Sequence, residues 1–397
     1  MDAVAESHVH SPRRSPDWSV VVARSVPELA PHIAAWEVLA AAALEPNVFY
    51  EPWMLLPALD LFGPAGGLRV VLVFGPHPIQ PTQRVLAGVF PLHHKRYKRL
   101  PISVLTLWQH AYILLGTPLL RADCAPECLQ ALFRWLGSHA SGCPLVEFQA
   151  VSGDGRFAQR LTDYLHASDA MTMSSECSTR ALFRRRATSA DFLEAAFSRE
   201  QRKTLRRREK RLAEAGRIDY ARLEPGDDLD RWLVDFLQVE ASGWKGQQRT
   251  ALASHAADCA FFTRVAQAAF TRNRLGLFAL RLDGRPIALQ CYFQGGDGAF
   301  FFKTAYDETY ARFSPGILLQ VALIHRLHET RAVQWVDSCS LPQSYLNELW
   351  PERRIVQNVV VATGLGSGEF CLGLLPLLRW LKRTLLRRQP GFRRRPP

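Results

Sequence analysis

The sequence has no run of 18 uncharged apolar residues, so it offers no conventional membrane-spanning helix. The opening MDAVAESHVHSPRRSPDWS has no apolar stretch of the kind a secretion signal needs. The eight cysteines form no CxxC pair. Cys124 and Cys128 are four apart and have no histidine-rich partner at zinc spacing, which argues against a metal site. His93-His94 and His325/His328 also lack a carboxylate at metal-site spacing. Reduced, buried thiols in a cytoplasmic protein fit this usage. From Arg379 to Pro397 there is no acidic residue, and the basic segment before Gly216 has no interleaved aromatics. The second absence argues against sequence-reading nucleic-acid modules.

What is present is a large apolar fraction, 48% of 397 residues, enough for two or three domains with a sizeable core. The net charge is +12. It is concentrated in Arg180–Arg217, with 13 basic and 5 acidic residues, and in Arg379–Pro397, with 8 basic residues. Each segment is a polyanion-binding patch or a solvated basic face. The tail LGLLPLLRWLKRTLLRRQPGFRRRPP mixes leucines and Trp380 with arginines. That composition suits an amphipathic helix at an anionic membrane surface, or one docked on its own domain.

Hydrophobic periodicity gives an α/β or α+β order in two rounds. The first has a strand at Val20–Val22, a helix over Val26–Ala43 and a short helix to Leu61. A hairpin of Leu68–Phe74 and Arg84–His93 follows, then a strand over Val104–Leu115, a helix at Pro126–His139 and a strand at Leu145–Val151. The second has a strand at Ile218–Leu223 and helices at Asp227–Ala241 and Ser254–Arg272. A hairpin turning at Asp283-Gly284, a strand at Phe300–Ala305, a helix at Pro315–Glu329 and a strand at Val333–Ser338 complete it. The expected organisation is a disordered segment over 1–17, one unit over 18–175, a second over 176–366, and a basic tail over 367–397. No strong residue-level repeat accompanies the shared order.

AFFFKTAYDETYARFSPGILLQVALIHRLHE, Ala299–Glu329, is the most informative stretch. A β-prone run meets Ser314-Pro315-Gly316 and then a helix with Ile317, Val321, Ile324 and Leu327 at helical spacing. A helix opening at such a turn presents backbone N–H groups and a positive dipole end to a phosphate. The alternative is an ordinary strand-to-helix turn. The first round has only Gly116-Thr117-Pro118 at the corresponding place, so the second is the better cofactor-binding candidate.

This order resembles that of the GNAT acyltransferases, and more specifically the bacterial CelD/BcsL type, similar in layout to the FemAB aminoacyltransferases. NVFYEPWML (Asn47–Leu55), EASGWKG (Glu240–Gly246) and KTAYDETYARFSPGILL (Lys303–Leu319) carry the resemblance, together with the basic SREQRKTLRRREKRLAEAG (Ser198–Gly216). It implies two tandem GNAT-like domains, each a mixed, mostly antiparallel sheet flanked by helices. It also implies a donor of acetyl-CoA or longer acyl-CoA, no metal, and a small-molecule or saccharide acceptor in exopolysaccharide or envelope synthesis. The location would be cytoplasmic, with peripheral contact at the inner membrane through the tail. Arg312, Phe313, Ser314, Gly316 and Ile317 would hold the pyrophosphate. They depart from the family's Arg/Gln-x-x-Gly-x-Gly/Ala loop in having one glycine, which leaves room for another donor. A FemAB-like transferase using charged tRNA and a non-catalytic subunit of a polymer-synthesis complex are the alternatives.

The remaining candidates take their places from what the resemblance implies and their roles from residue chemistry. Glu240 is a potential general base for an acceptor amine, or an exposed helix-end carboxylate. Trp244 would wall the acceptor pocket and Lys245 would meet an anionic substrate. Lys303, inside an aromatic run, needs a partner, for which Asp307 or Asp337 is the expectation. Tyr306 or Tyr310 would protonate a leaving thiolate. Asp337 and Ser338 would face the reaction centre, and Asp307 the substrate. Cys339 reads as an inert buried thiol, with no histidine nearby in sequence to make it a nucleophile.

Overall fold

A computed structural model describes residues 18–138, 141–341, 343–364 and 367–387. The expected segment 1–17 and the end of the basic tail lie outside these residues. The strands are β1 (Ser19–Ala23), β2 (Leu68–Pro76), β3 (Arg84–Arg96), β4 (Ser103–Leu107), β5 (Leu119–Leu120), β6 (Leu145–Ser152) and β7 (Thr172–Arg184). They continue with β8 (Ile218–Arg222), β9 (Leu275–Leu282), β10 (Arg285–Gly295), β11 (Gly298–Tyr306), β12 (Trp335–Asp337) and β13 (Glu352–Ala362).

Two rounds of one order emerge. Helices Ile33–Ala41 and Pro52–Phe62 separate β1 from β2, as Leu229–Ser242 and Ala256–Thr271 separate β8 from β9. Helix Ala125–Leu136 precedes β6, as Pro315–Thr330 precedes β12. Helix Arg156–Ala167 then leads to β7, and the single turn Leu346–Leu349 leads to β13. Among the described residues the strands form one sheet, ordered β1-β2-β3-β4-β6-β13-β7-β12-β11-β10-β9-β8, with β5 on β3. Each round's last strand is therefore exchanged: β13 pairs with β6 and β7 with β12, both antiparallel. The unit boundary expected at 175/176 falls inside β7.

The strand expected to reach Leu115 stops at Leu107, and residues 108–118 run on as an irregular segment. The hairpin turn forms as expected, with Asp283 (φ 49°) and Gly284 (φ 79°) both left-handed. The basic helix spans Arg199–Ala213 and starts at the Ser198/Gln201 capping box. Its Leu212 is buried and its Leu205 packs on the same core, which explains how so charged a helix is held.

The NVFYEPWML motif joins the two halves. Phe49 and Trp53 pack edge-on against Phe300 and Phe293 of β11 and β10. Glu51 forms a two-pronged ion pair with Arg274, whose Nη2 donates at 2.6 Å, and accepts from Trp53 Nε1 at 2.8 Å. Asn47 Nδ2 donates to the carbonyls of Leu115 and Thr117, at 3.0 and 2.7 Å, fixing the irregular segment. In the C-terminal helix Gly368–Arg387, Leu372 and Leu375 are buried against Tyr97, Val104 and Val360, while Phe370 and Leu377 are exposed. No described helix is long and apolar enough to cross a membrane.

Candidate functional site

β11 and β12 are parallel and pair only over Gly298–Phe300 and Trp335–Asp337. Beyond that point β11 continues to Tyr306 while β12 ends, so the sheet opens. A cavity of about 910 Å³ occupies the opening. Its walls come from β11, the EASGWKG turn, the start of helix Pro315–Thr330, residues 338–341 and 343–346, and Tyr112 and Leu114 of the first round's irregular segment.

Helix Leu229–Ser242 places Glu240 behind the cavity floor, and the turn that follows returns Lys245 to it, on the cavity side. Glu308 holds that turn by accepting from Trp244 N at 2.9 Å. The Glu240 side chain is fully buried. Its Oε1 lies 3.1 Å from Lys303 Nζ and 3.4 Å from Lys245 Nζ, and its Oε2 accepts from Leu252 N at 2.8 Å. Lys245 Nζ also donates to Thr304 O at 2.7 Å, and Lys303 Nζ sits 5.7 Å over the Tyr112 ring. Burial chiefly, and then the Lys303 charge, hold Lys245 below the usual lysine value despite Glu240.

Gln290, a lone amide in the apolar run of β10, locks the strands beside this cluster. Its Oε1 accepts from Thr304 Oγ1 at 2.6 Å and Gln320 Nε2 at 2.8 Å, and its Nε2 donates to Lys303 O at 3.2 Å. The Tyr345 ring is 39% exposed at the mouth, while its hydroxyl reaches the Thr304 and Gln320 side chains. Burial pushes that hydroxyl up to about 12.

Ser314, left-handed at φ 54° and ψ 55°, caps helix Pro315–Thr330. Its carbonyl accepts from Ile317 N and Leu318 N, at 3.0 and 3.1 Å, and Pro315 has no N–H, so Gly316 N–H is the first-turn amide not turned back on Ser314. Arg208 of the basic helix donates to Ser314 Oγ at 2.6 Å. A Cβ at Gly316 would meet nothing within 4 Å, so this glycine opens the helix start rather than relieving a clash. Ser314, Gly316 and Ile317 line the cavity. Arg312 does not, being stacked on Phe313 at 4.6 Å, and Phe313 is buried in the core.

Several expectations need correction. The partner of Lys303 is Glu240, not Asp307 or Asp337. Glu240 is no exposed helix-end carboxylate; it lies behind two lysines. Asp337 turns away from the cleft: fully buried, it accepts from Arg180 Nη2 at 2.6 Å and Arg354 Nη1 at 2.8 Å. Burial alone would raise its carboxyl, but the two arginines outweigh this and hold it below the usual range. Asp307 caps the following turn through Thr309, and pairs with Arg285 at 3.5 Å. Tyr306 and Trp244 do line the cavity, 37% and 44% exposed. Cys339 lines it too, and burial, then the Asp337 charge, push its thiol well up, consistent with an inert thiol. Among the described residues no group of side chains could hold a metal ion.

Residues 199–345 match the model of the acetyltransferase (GNAT) domain family. The whole fold is similar to the crystal structure titled FemX, with a TM-score of 0.54 at 10% identity over 88% of this chain and 98% of that one. It is also similar to a conserved protein of unknown function from Bacteroides thetaiotaomicron, with a TM-score of 0.52 at 9% identity over 83% of this chain and 97% of that one. No match to a curated protein was found. The expected fold class stands, two tandem GNAT-like rounds with a mixed, mostly antiparallel sheet flanked by helices, except that the two rounds share one sheet instead of forming one each.

Proposed function

We propose that the second unit is an acyltransferase that moves the acyl group of acetyl-CoA or a longer acyl-CoA to an amine or hydroxyl by direct attack on the thioester. The observation that carries this is the cavity at the β11/β12 opening, with the start of helix Pro315–Thr330 in one wall and the Lys245–Glu240–Lys303 cluster in another. The donor pyrophosphate would meet Gly316 N–H, Ser314 and the nearby Arg208 charge. The cavity lining contains no carboxylate and no histidine. Lys245 and Lys303 then face the acceptor as a cationic pair positioned by Glu240, and the acceptor's proton passes to solvent. Tyr345 or Tyr306 would protonate the departing thiolate, and Trp244 would wall the acceptor. The raised Cys339 thiol speaks against an acyl-enzyme intermediate. The CelD/BcsL resemblance supports a saccharide acceptor in exopolysaccharide or envelope synthesis.

Thermal unfolding with and without acetyl-CoA and longer acyl-CoAs tests the donor. Saturation at 100 times Kd stabilises a protein by about 2.7 kcal/mol. No shift with any acyl-CoA, alongside one with RNA, would favour a second reading, a FemAB-like transferase using a charged tRNA. What supports that reading is the contact of the arginine-rich helix with Ser314 and the likeness of the fold to FemX.

A further inference from the structure

The floor of the cavity has an unbalanced charge. Two lysine side chains line it, 24% and 16% exposed, and no acidic residue does. Among the described residues the only carboxylate paired with them, Glu240, is hidden behind them with both oxygens already engaged. Two ammonium groups thus share one carboxylate, leaving a surplus of one positive charge on two mostly buried side chains. Lys245 spends one donor on Glu240 and one on Thr304 O, and its ammonium has three. A buried or half-buried charge without a full set of partners is costly, and an incoming anion would offset that cost. The walls beside it are aromatic, with Tyr112, Trp244 and Tyr306 among them.

We infer that the acceptor carries a carboxylate as well as its nucleophilic amine or hydroxyl, and that Lys245 and Lys303 receive it. Only the identification of this ligand as the acceptor rests on the acyltransferase reading. The surplus is a single charge, so it matches a monoanionic group better than a phosphate. Seated there, the carboxylate fixes the acceptor beside the splayed end of β11, while the donor enters past Ser314 and Gly316. Without an anion the lysine pair repels an acceptor's ammonium, so neutral and cationic amines are discriminated against.

The test is calorimetric titration of the full chain, without any donor, with L-glutamate, its diamide and inorganic phosphate. Glutamate should bind at least tenfold tighter than the diamide, and tighter than phosphate. Lys303→Met should remove the preference while leaving Glu240 paired with Lys245. Equal binding of acid and amide, or tighter binding of phosphate, would overturn the inference. The same acid and amide serve as acceptors in an acyl-CoA assay. A Lys303→Met loss confined to kcat and equal for both acceptors would assign Lys303 to the developing oxyanion instead, and also overturn it. Because the titration needs no donor, failure of acyl-CoA to bind would defeat the donor reading and leave carboxylate binding intact.

Discussion

Asp337→Asn is the sharpest test of how the site is built. The substitution keeps the side-chain volume and removes the charge. In the native protein one fully buried carboxylate serves Arg180, 9% exposed, and Arg354, 14% exposed. It also accepts from Cys339 N at 2.9 Å. Breaking a buried pair by removing one partner costs about 3–5 kcal/mol, because the other charge is stranded. Unfolding entropies of about 2.1 cal/mol/K per residue amount to about 0.8 kcal/mol/K over the 397 residues, so the melting temperature should fall by ~4–6 °C. The pH dependence has a definite sign. The folded carboxyl is depressed, so its stabilisation is fully present above the unfolded value of about 3.9 and is lost as pH falls through the folded value. The gap between wild type and variant should therefore be constant near neutrality and close in acid. The assay is calorimetric unfolding from pH 7 downward, with turnover measured well below the melting temperature. A variant that melts like wild type but has lost its turnover would refute the reasoning and restore Asp337 to the reaction centre.

Gly316→Glu should fold normally, since its Cβ position is open, yet abolish any acyl-CoA thermal shift by setting a carboxylate beside the phosphates. Arg208→Ala should weaken donor binding about tenfold through loss of one charge-assisted contact, read by titration, with little change in acceptor KM.

Much of the fold was legible because local signals were strong. The Asp283-Gly284 turn, the capping box at Ser198 and the helical spacing after Pro315 each formed where the residues indicated. The strands β7 and β13, and helix Arg156–Ala167, were not read. β7, TMSSECSTRALFR, and β13, ERRIVQNVVVA, open on polar residues, and each lies between two strands of the other round, so no simple alternation marks them. The site divides the same way. Glu240, Lys245 and Lys303 were each conspicuous, but their union depends on a chain return that spacing does not show. Asp337 misled because a carboxylate at a strand end looks catalytic, while its arginines come from 157 residues upstream and 17 downstream. Gln290 did carry a readable signal, an amide inside the apolar run from Ile287 to Phe293. Arg208 carried none that set it apart from its neighbours.

The exchange of final strands has a consequence for modularity. A piece cut to the GNAT match at 199–345 would hold β8 to β12 and lose β7, leaving the edge of β12 bare beside the cavity. The opposite piece would keep β7 without its partners and leave β6 without β13. Neither half is therefore a transplantable cassette. The seemingly idle first round acts as an inseparable chaperone for the second, supplying both the strand that closes its sheet and the segment that walls its cavity.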